Sequence, residues 1–296
     1  MSLSAYLEAR KKITDDALER YLPSEENYPP VIFKAVRYSV FAGGKRIRPI
    51  LCMASAEAVG GDMESVLPVA CALELIHTYS LIHDDLPAID DDDYRRGRLT
   101  NHKVFGEDIA ILAGDALLTE AFRLMSERTL TGKVAPEKLL AVIHNVAEAA
   151  GYFGMVGGQV VDVQSEGKTV EIEVLHYIHT RKTGAMITSA IKAGAMLANA
   201  GEVELNALLT YGKHVGLAFQ IADDILNVEG DPALLGKGTG SDAKRGKVTY
   251  PALAGLEASR KKAGELVESA LIAIKNFDQR AEPLRMIARY IVERKF

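Results

Sequence analysis

Apolar side chains recur every three or four residues along almost the entire chain, and this spacing limits the fold more than any other feature. Leu67, Ala70 and Leu73 show it in the first half of the chain, and Leu205 and Leu208 show it in the second half. Side chains spaced in this way lie on one face of an α-helix. Because 48% of the residues are apolar, such helices can bury a sizeable core between them. The spacing therefore predicts an all-α fold.

Glycine and proline interrupt the helical spacing at intervals that leave room for about ten helices of ordinary length. The breaks fall at Pro23–Pro30, Gly43-Gly44, Gly60–Asp62, Pro87, Gly97, 131–136, Gly167 and 230–251. The best strand-like run, residues 169–175, is short and can equally begin a helix. No low-complexity linker and no repeat of fixed period marks a boundary, so a single domain is predicted over residues 1–296.

Charge and targeting features exclude several functional classes. The 35 basic residues occur in short groups and are outnumbered by 40 acidic residues, so no nucleic-acid partner is expected. The first helical segment lacks the apolar core of a signal peptide. The longest apolar run, 185–200, is interrupted by Lys192, so no transmembrane segment and a cytoplasmic location are predicted. Cys52 and Cys71 have apolar neighbours and are predicted to be core residues.

Residues 77–90 run from an apolar helix directly into a first acidic motif. His77, Ser80 and Asp84 would share one face of that helix, and Pro87 would end it before Asp90. A calcium loop of the EF-hand type does not fit, because glycine and glutamate are missing from its sixth and twelfth positions. Taken alone, the motif is explained equally well as a solvated acidic loop.

A second acidic motif makes the functional interpretation stronger. Gln220, Asp223, Asp224 and Asn227 are spaced by three and four residues, so they would share one helix face. If the two motifs converge, two carboxylates at ~4 Å repel by about 4 kcal/mol at an effective dielectric of 20, which calls for bound cations. Carboxylate oxygens suit magnesium, which also takes phosphate oxygens. The sequence therefore predicts a magnesium site for a phosphate ester.

Two short basic clusters support a phosphorylated substrate, because arginine and lysine both bind phosphate oxygens. They are Gly43-Gly44-Lys45-Arg46-Ile47-Arg48-Pro49 and Arg95-Arg96-Gly97-Arg98. The first is not a Walker phosphate loop, since Arg46 follows Lys45 where serine or threonine is required. The glycine-rich residues 238–243, with Lys237 beside them, are interpreted either as a cationic flap or as a plain surface loop.

Metal and nucleophile chemistry of other kinds is not predicted. His176 and His179 stand three residues apart, but no further ligands at suitable spacing would complete a zinc site. No serine has a nucleophile-elbow context, and neither cysteine has an activating neighbour in sequence.

Together these motifs resemble those of the short-chain polyprenyl diphosphate synthases of the bacterial farnesyl diphosphate synthase (geranyltranstransferase) type. The similarity runs from the Gly43–Pro49 element, through Asp84, Asp85, Asp90 and Arg95-Arg96-Gly97, to Thr249-Tyr250-Pro251. The resemblance implies a single helical bundle around a central apolar cavity, the isoprenoid synthase type, that works as a homodimer.

The resemblance also implies a role for each matched residue. The residues that would hold magnesium, three ions with substrate bound, are Asp84, Asp85, Asp90, Asp223 and Asp224; with Lys182 they form the catalytic set. The residues that would hold the diphosphate of isopentenyl diphosphate are Lys45, Arg48, His77 and Arg96. Those that would contact the allylic diphosphate are Arg95, Lys182, Thr183, Gln220 and Lys237. The sequence departs from the family where the second motif ends in Asn227 instead of aspartate.

The implied reaction needs no protein nucleophile. Metals and cations stabilise the departing diphosphate, and the double bond of isopentenyl diphosphate attacks the allylic carbocation. Tyr79 and Ser80 are the predicted product-length residues: Tyr79 lies roughly 7.5 Å before Asp84 along the helix, which favours a farnesyl product. A merely structural role for Tyr79, a geranylgeranyl diphosphate synthase and a catalytically silent regulatory subunit remain alternatives. A terpene cyclase is a more distant one, since it does not need a second diphosphate site.

Overall fold

The computed structural model describes residues 1–127, 134–229 and 247–293. Its α-helices are α1 (Leu3–Tyr21), α2 (Pro30–Val40), α3 (Ile47–Ala58), α4 (Met63–Asp84), α5 (Asn101–Phe105), α6 (Glu107–Ser126), α7 (Pro136–Ala150), α8 (Met155–Ser165), α9 (Ile172–Ile178), α10 (Ala185–Leu197), α11 (Glu202–Glu229), α12 (Tyr250–Ala254), α13 (Leu256–Ala273) and α14 (Glu282–Glu293). A π-helical stretch, His179–Gly184, joins α9 to α10 and is called the π segment; a 3₁₀ turn, Gln279–Ala281, precedes α14.

The prediction of an all-α fold is confirmed. Within the described ranges the only sheet is one antiparallel pair of two-residue strands, β1 (Tyr94–Arg95) and β2 (Arg98–Leu99). The strand-like run at 169–175 is not a strand: it leads into α9, which begins at Ile172 and includes the end of the run.

The described chain contains more helices than the ten expected, and two of the additional helices arise because isolated glycines end very short ones. Gly106 has a φ of 92° and separates α5 from α6, and Gly255 has a φ of 82° and separates α12 from α13. A positive φ is costly for residues with a side chain but accessible to glycine. The predicted breaks at Gly60 and Gly97 also carry positive φ values.

Contacts within the chain group its residues into two compact units. Unit 1 comprises residues 1–50 and 64–139, and unit 2 comprises residues 51–63 and 140–296. Each unit is described by itself below, and the prediction of one domain over residues 1–296 stays a prediction.

Helix α4 forms the core of unit 1. Its residues from Val66 to Ile76 are all buried, without a polar face, and helices that are apolar all round belong in a protein core. By length and composition alone, two stretches of the described chain are able to cross a membrane: Met63–Asp84, which is 78% buried inside the protein, and Pro136–Ser165, which is 39% buried. Core helices meet the same criteria, so this finding carries little weight.

The 28-residue helix α11 organises unit 2, where it packs against α10, α13 and the π segment. Gly216 lets α11 pack closely against the π segment, because a side chain there would place a Cβ atom 3.0 Å from Cα of Gly184. Both cysteines are buried, Cys71 in unit 1 and Cys52 in unit 2, so their predicted place in the core is confirmed.

Candidate active site

The first acidic motif forms a tight turn at the end of α4. The chain folds back after Asp84 so that the Asp90 N–H donates to the Asp84 carbonyl oxygen at 2.8 Å. The Asp92 N–H donates to the Asp85 carbonyl oxygen at 3.2 Å. Residues 84–93, called the acidic turn, thus bring the backbones of Asp84 and Asp90 together, and both residues are half-buried.

Asp85 and Arg95 bind each other. Asp85 is only 3% exposed, and Nε of Arg95 lies 2.8 Å from both of its carboxylate oxygens. Asp92 lies on the same guanidinium, with 3.7 Å between Nη2 and Oδ2. The sequence assigned Asp85 to magnesium and Arg95 to a diphosphate; in this structure the pair closes the acidic turn, because a planar guanidinium matches a carboxylate in bidentate fashion.

A hairpin joins the acidic turn to the first basic cluster. Its two central residues, Arg96 and Gly97, have φ values of 55° and 74°, as a type I′ turn requires. The Arg96 guanidinium donates to the Gly43 carbonyl oxygen. Gly44 has a φ of 125°, which glycine adopts far more readily than residues with a side chain. The hairpin (residues 94–99) therefore contacts the acidic turn through Arg95 and the cationic loop (residues 43–48) through Arg96.

Arg46 in the cationic loop is structural. It is 2% exposed, and its guanidinium donates to Asp15, to Glu74 and to the Val40 carbonyl oxygen at 2.7 to 2.8 Å. These bonds hold the residue in the left-handed region, with a φ of 53°. Since its donors are used inside the protein, Arg46 fixes the loop rather than the substrate.

His77 lies in a field of positive charge. Burial, followed by Arg48 and Arg96, lowers the pKa of His77 well below its usual value. The imidazole is therefore neutral at pH 7. His77, Arg48 and Arg96 are three of the four side chains predicted for the isopentenyl diphosphate site, and the two arginine charges act on the imidazole within unit 1. The fourth, Lys45, is exposed in the cationic loop. Clustered cations of this kind attract an anionic group.

Tyr79 is buried on α4, at 8% exposure, and burial followed by the charge of Asp84 raises its pKa. Its ring meets the ring of His83 edge to face, with 5.6 Å between the centroids. His83 in turn lies against Gly114 of α6, where an added Cβ atom would come 2.1 Å from the imidazole. Ser80 donates to the His77 carbonyl oxygen at 2.9 Å. The length-limiting role of Tyr79 and Ser80 stays a prediction.

In unit 2 the second acidic motif lies on α11, with Gln220, Asp223, Asp224 and Asn227 all half-buried. The two adjacent carboxylates have different surroundings. Oδ2 of Asp224 accepts the Tyr250 N–H at 2.7 Å and lies 3.3 Å from Nε2 of His179, which is 4% exposed. Asp224 therefore links α11 to the π segment and to the start of α12.

Lys182 and Thr183 lie in the π segment, and both are half-buried. Nζ of Lys182 forms an ion pair with Oδ2 of Asp162 at 2.7 Å. Gly158 lets helix α8 approach the π segment closely, because any Cβ atom at this position would lie only 2.2 Å from the backbone nitrogen of Lys182. Asp162 was not singled out from the sequence, although its spacing of three from Gln159 is a detectable signal.

Gln159 is a further polar residue that the sequence reasoning missed. Its amide nitrogen and oxygen are both buried, and neither has a hydrogen-bond partner within the described part of the chain. Buried amides are nearly always satisfied, so this pair of atoms is well suited to bind a polar ligand.

The chemistry of the acidic side chains in each unit, taken by itself, suits magnesium. Asp84 and Asp90 in unit 1 and Asp223 in unit 2 carry hard carboxylate oxygens, and magnesium typically binds one or two carboxylates together with water and phosphate oxygens. No group of three or more His, Cys, Asp or Glu side chains among residues 1–127, 134–229 and 247–293 is arranged to hold a metal alone. Lys237 and the glycine-rich residues 238–243 lie outside the described residues.

Comparisons with known proteins identify relatives along almost the whole chain. A sequence model of the family described as polyprenyl synthetase matches residues 29–287. The chain is 50% identical to a geranylgeranyl diphosphate synthase of Cyanophora paradoxa over 294 residues, which cover 99% of this chain and 97% of that protein. It is 46% identical to a farnesyl diphosphate synthase of Geobacillus stearothermophilus, covering 99% and 98% of the two chains.

A solved structure supports the fold assignment. An FPP/GFPP synthase from Zymomonas mobilis in its apo form superposes with a TM-score of 0.87 at 38% identity, covering 98% of both chains. Such synthases have the all-α isoprenoid synthase fold, so the predicted fold type is confirmed.

Proposed function

This chain belongs to the polyprenyl synthetase family, and we propose that it condenses isopentenyl diphosphate with dimethylallyl and geranyl diphosphates to make farnesyl diphosphate. The observation that carries the proposal is the hairpin of unit 1. Arg95 binds the acidic turn on one side and Arg96 binds the cationic loop on the other. The acidic turn would bind one diphosphate through magnesium, and the cationic loop beside it would bind a second diphosphate directly through its positive charges.

The cationic cluster takes the diphosphate of isopentenyl diphosphate. Arg48 and Arg96 supply positive charge, and the neutral His77 supplies a hydrogen-bond donor to a phosphate oxygen. Lys45, exposed in the same loop, adds a point charge. No carboxylate is assigned to this subsite, so it does not depend on magnesium.

The acidic motifs take the allylic diphosphate. Asp84 and Asp90 of the acidic turn and Asp223 of α11 would hold magnesium, with the paired Asp85 and the tethered Asp224 supporting them. When bound, magnesium neutralises the charge that develops on the departing diphosphate. Lys182, Thr183, Gln220 and Lys237 would contact the same diphosphate.

The reaction itself proceeds by ionisation and alkylation. The allylic C–O bond breaks, and its electron pair leaves with the diphosphate. The π electrons of isopentenyl diphosphate then form the new C–C bond, and the released diphosphate accepts the proton that is lost. The polypeptide contributes charge, orientation and exclusion of water, and no covalent intermediate with the protein is required.

Tyr79 supports the fifteen-carbon product. It is a buried aromatic residue five positions before Asp84 on α4, where a growing chain that follows the helix would meet its ring. The alternative is a twenty-carbon product, which the name of the Cyanophora paradoxa relative favours. A catalytically silent regulatory subunit is the third possibility and has no support beyond Asn227.

The test is a product assay. The purified protein is incubated with isopentenyl diphosphate, dimethylallyl diphosphate and magnesium, and the prenyl products are separated by chain length. Farnesyl diphosphate as the main product supports the proposal, and geranylgeranyl diphosphate selects the alternative. Absence of any product, with a characterised synthase active in the same buffer, contradicts the proposal. A parallel reaction with chelator in place of magnesium shows whether turnover needs the metal.

The proposal further includes a cytoplasmic homodimer built from one prenyltransferase domain per chain. Light scattering on the purified protein tests the dimer, because a single chain has a mass of 32.1 kDa. A mass near that of one chain at assay concentration would contradict this part of the proposal without affecting the reaction.

A further inference from the structure

Unit 2 contains a cavity of about 750 Å³ that has no part in the reaction described above. It lies between α7, the π segment, α10, α11 and α13. None of its lining residues belongs to the predicted magnesium, isopentenyl diphosphate or allylic diphosphate sets. Its volume falls within the range of about 300–1,000 Å³ that is typical of sites for small ligands.

The cavity is lined by more positive than negative charge. Arg181, Lys192, Lys213 and Lys262 line it together with a single carboxylate, that of Glu148. No ion pair joins any of the three lysines to a carboxylate of the described residues. Four cations against one anion, brought together from four different helical segments, form a site of positive potential.

Two histidines in the same wall respond to this potential. Burial, followed by His179 and Lys262, lowers the pKa of His176. Burial, followed by Lys262 and Lys213, lowers the pKa of His214. Lys262 contributes to both shifts and lines the cavity, so its positive charge acts on both imidazoles.

The remaining wall is apolar. Phe153, Leu209, Leu217 and Leu266 line the cavity, with small residues between them. The π-segment residue Arg181 closes one side, since Nη1 donates to the Phe153 carbonyl oxygen at 3.1 Å. The cavity is therefore lined by both cationic and apolar side chains.

We propose that this lysine cavity is a second ligand site, which binds a small amphiphilic anion: a phosphate or diphosphate group on a short hydrocarbon chain. Several cations in one pocket match a multiply charged phosphate better than a singly charged carboxylate. The leucine side chains cover the hydrocarbon part, and the headgroup contacts Lys192, Lys213 and Lys262. The site does not depend on the proposed prenyl transfer, because it shares no residue with it.

A tryptophan placed in the cavity wall reports binding locally, because the chain has no tryptophan of its own. In Phe153→Trp the indole replaces a lining ring that is 60% exposed. Its fluorescence is followed in chelator-containing buffer during titration with hexyl phosphate, hexanoate, hexanol and inorganic phosphate. Saturable binding of hexyl phosphate, at least about tenfold tighter than the other three probes, is expected. Equal binding of hexyl phosphate and hexanol would overturn the proposal.

Two neighbouring lysines of α13 provide a matched pair of variants. Lys262 lines the cavity, whereas Lys261 points elsewhere and forms an exposed ion pair with Glu265. Lys262→Gln in the reporter background is expected to weaken hexyl phosphate binding about tenfold, as for loss of a charged hydrogen bond. Lys261→Gln leaves it unchanged. Equal binding by both variants would refute the assignment.

Calorimetry keeps the test independent of the reporter. Hexyl phosphate is titrated into the unmodified chain and into Lys262→Gln and Lys261→Gln, without the tryptophan. A loss of heat confined to Lys262→Gln supports the site even if Phe153→Trp does not fold. Identical heats for all three proteins contradict it.

Discussion

His179 and Asp224 lie against each other in unit 2, with 3.3 Å between Nε2 and Oδ2, and the same carboxylate oxygen accepts the Tyr250 N–H. The adjacent aspartates of the second motif are therefore not equivalent. Asp224 holds three segments of the chain together, whereas Asp223 is the carboxylate of the pair that we assign mainly to magnesium.

Alanine substitutions should separate these two roles. Asp224→Ala removes the carboxylate that accepts the Tyr250 N–H and contacts His179. It is expected to lower the free energy of unfolding by about 1–3 kcal/mol. Asp223→Ala should abolish most turnover, because a carboxylate assigned to magnesium is lost. Urea denaturation and a turnover assay at saturating magnesium check both. Near-normal turnover of Asp223→Ala would contradict the assignment of this residue.

Loss of Asp84 is expected to reduce turnover by about 100- to 1,000-fold, because charge on the departing diphosphate is then less well stabilised. The fold should remain, since the backbone bond from Asp90 to Asp84 does not use the side chain. Asp93→Ala is the matched control: Asp93 belongs to the same acidic turn but pairs with Lys103 at the surface. The two variants are compared in steady-state assays, and an equal effect on rate would count against the magnesium role of Asp84.

Tyr79→Ala should shift the product toward geranylgeranyl diphosphate, since the ring that limits the chain is removed from α4. A stability cost of about 3–5 kcal/mol accompanies the loss of a buried aromatic ring. Tyr79→Phe, which keeps the ring, should still make the shorter product. The products of all three proteins are compared by chromatography. An unchanged distribution in a folded, active Tyr79→Ala protein would assign the length limit to other residues.

Asn227→Asp restores the missing charge of the second motif and is expected to lower the magnesium concentration at half-maximal rate severalfold. Asn206→Asp adds the same charge at an exposed position on the same helix and should have no effect. Rates are measured over a magnesium titration at fixed substrate concentration. Identical magnesium dependence of Asn227→Asp and the unsubstituted protein would refute a role for this position.

His77 should make stability depend on pH. Burial, Arg48 and Arg96 lower its pKa when folded, whereas in the unfolded chain it titrates near about 6.5. The stability contributed by the neutral ring is therefore fully present above about pH 6.5 and is lost as the pH falls, by at most about 1.4 kcal/mol per pH unit. His77→Asn should remove this part of the slope. The exposed His144→Asn is the control in urea unfolding between pH 5 and 8, in steps of about 0.5.

Much of the fold was predictable because it depends on local spacing. The period of apolar residues gives the helices, and Pro87 and Gly97 mark turns through their own backbone preferences. Gly106 and Gly255 were missed because each is a single glycine inside an otherwise helical pattern. Their effect depends on φ, which the sequence pattern does not specify.

The sequence proposed members for the candidate site but not the partners that these side chains have in the structure. The pairs Asp85–Arg95 and Lys182–Asp162 each join residues ten or more positions apart. Such contacts depend on how helices and turns pack, and a one-dimensional spacing does not encode that packing. The lysine cavity was invisible for the same reason, since its cations come from segments far apart along the chain.

The π segment constrains which changes in length the chain can tolerate. Its hydrogen bonds run from residue i to i+5 and so accommodate one residue more than the α-helical pattern. Deleting a single residue between His179 and Gly184 would restore that pattern and keep α9 and α10 in their present register. A further residue inserted there exceeds what one π turn accommodates and would rotate α9 relative to α10 by about 100°. Leu175 and Ile187 would then no longer both face the core. This stretch therefore tolerates the loss of one residue, whereas an added residue changes the buried face of a whole helix.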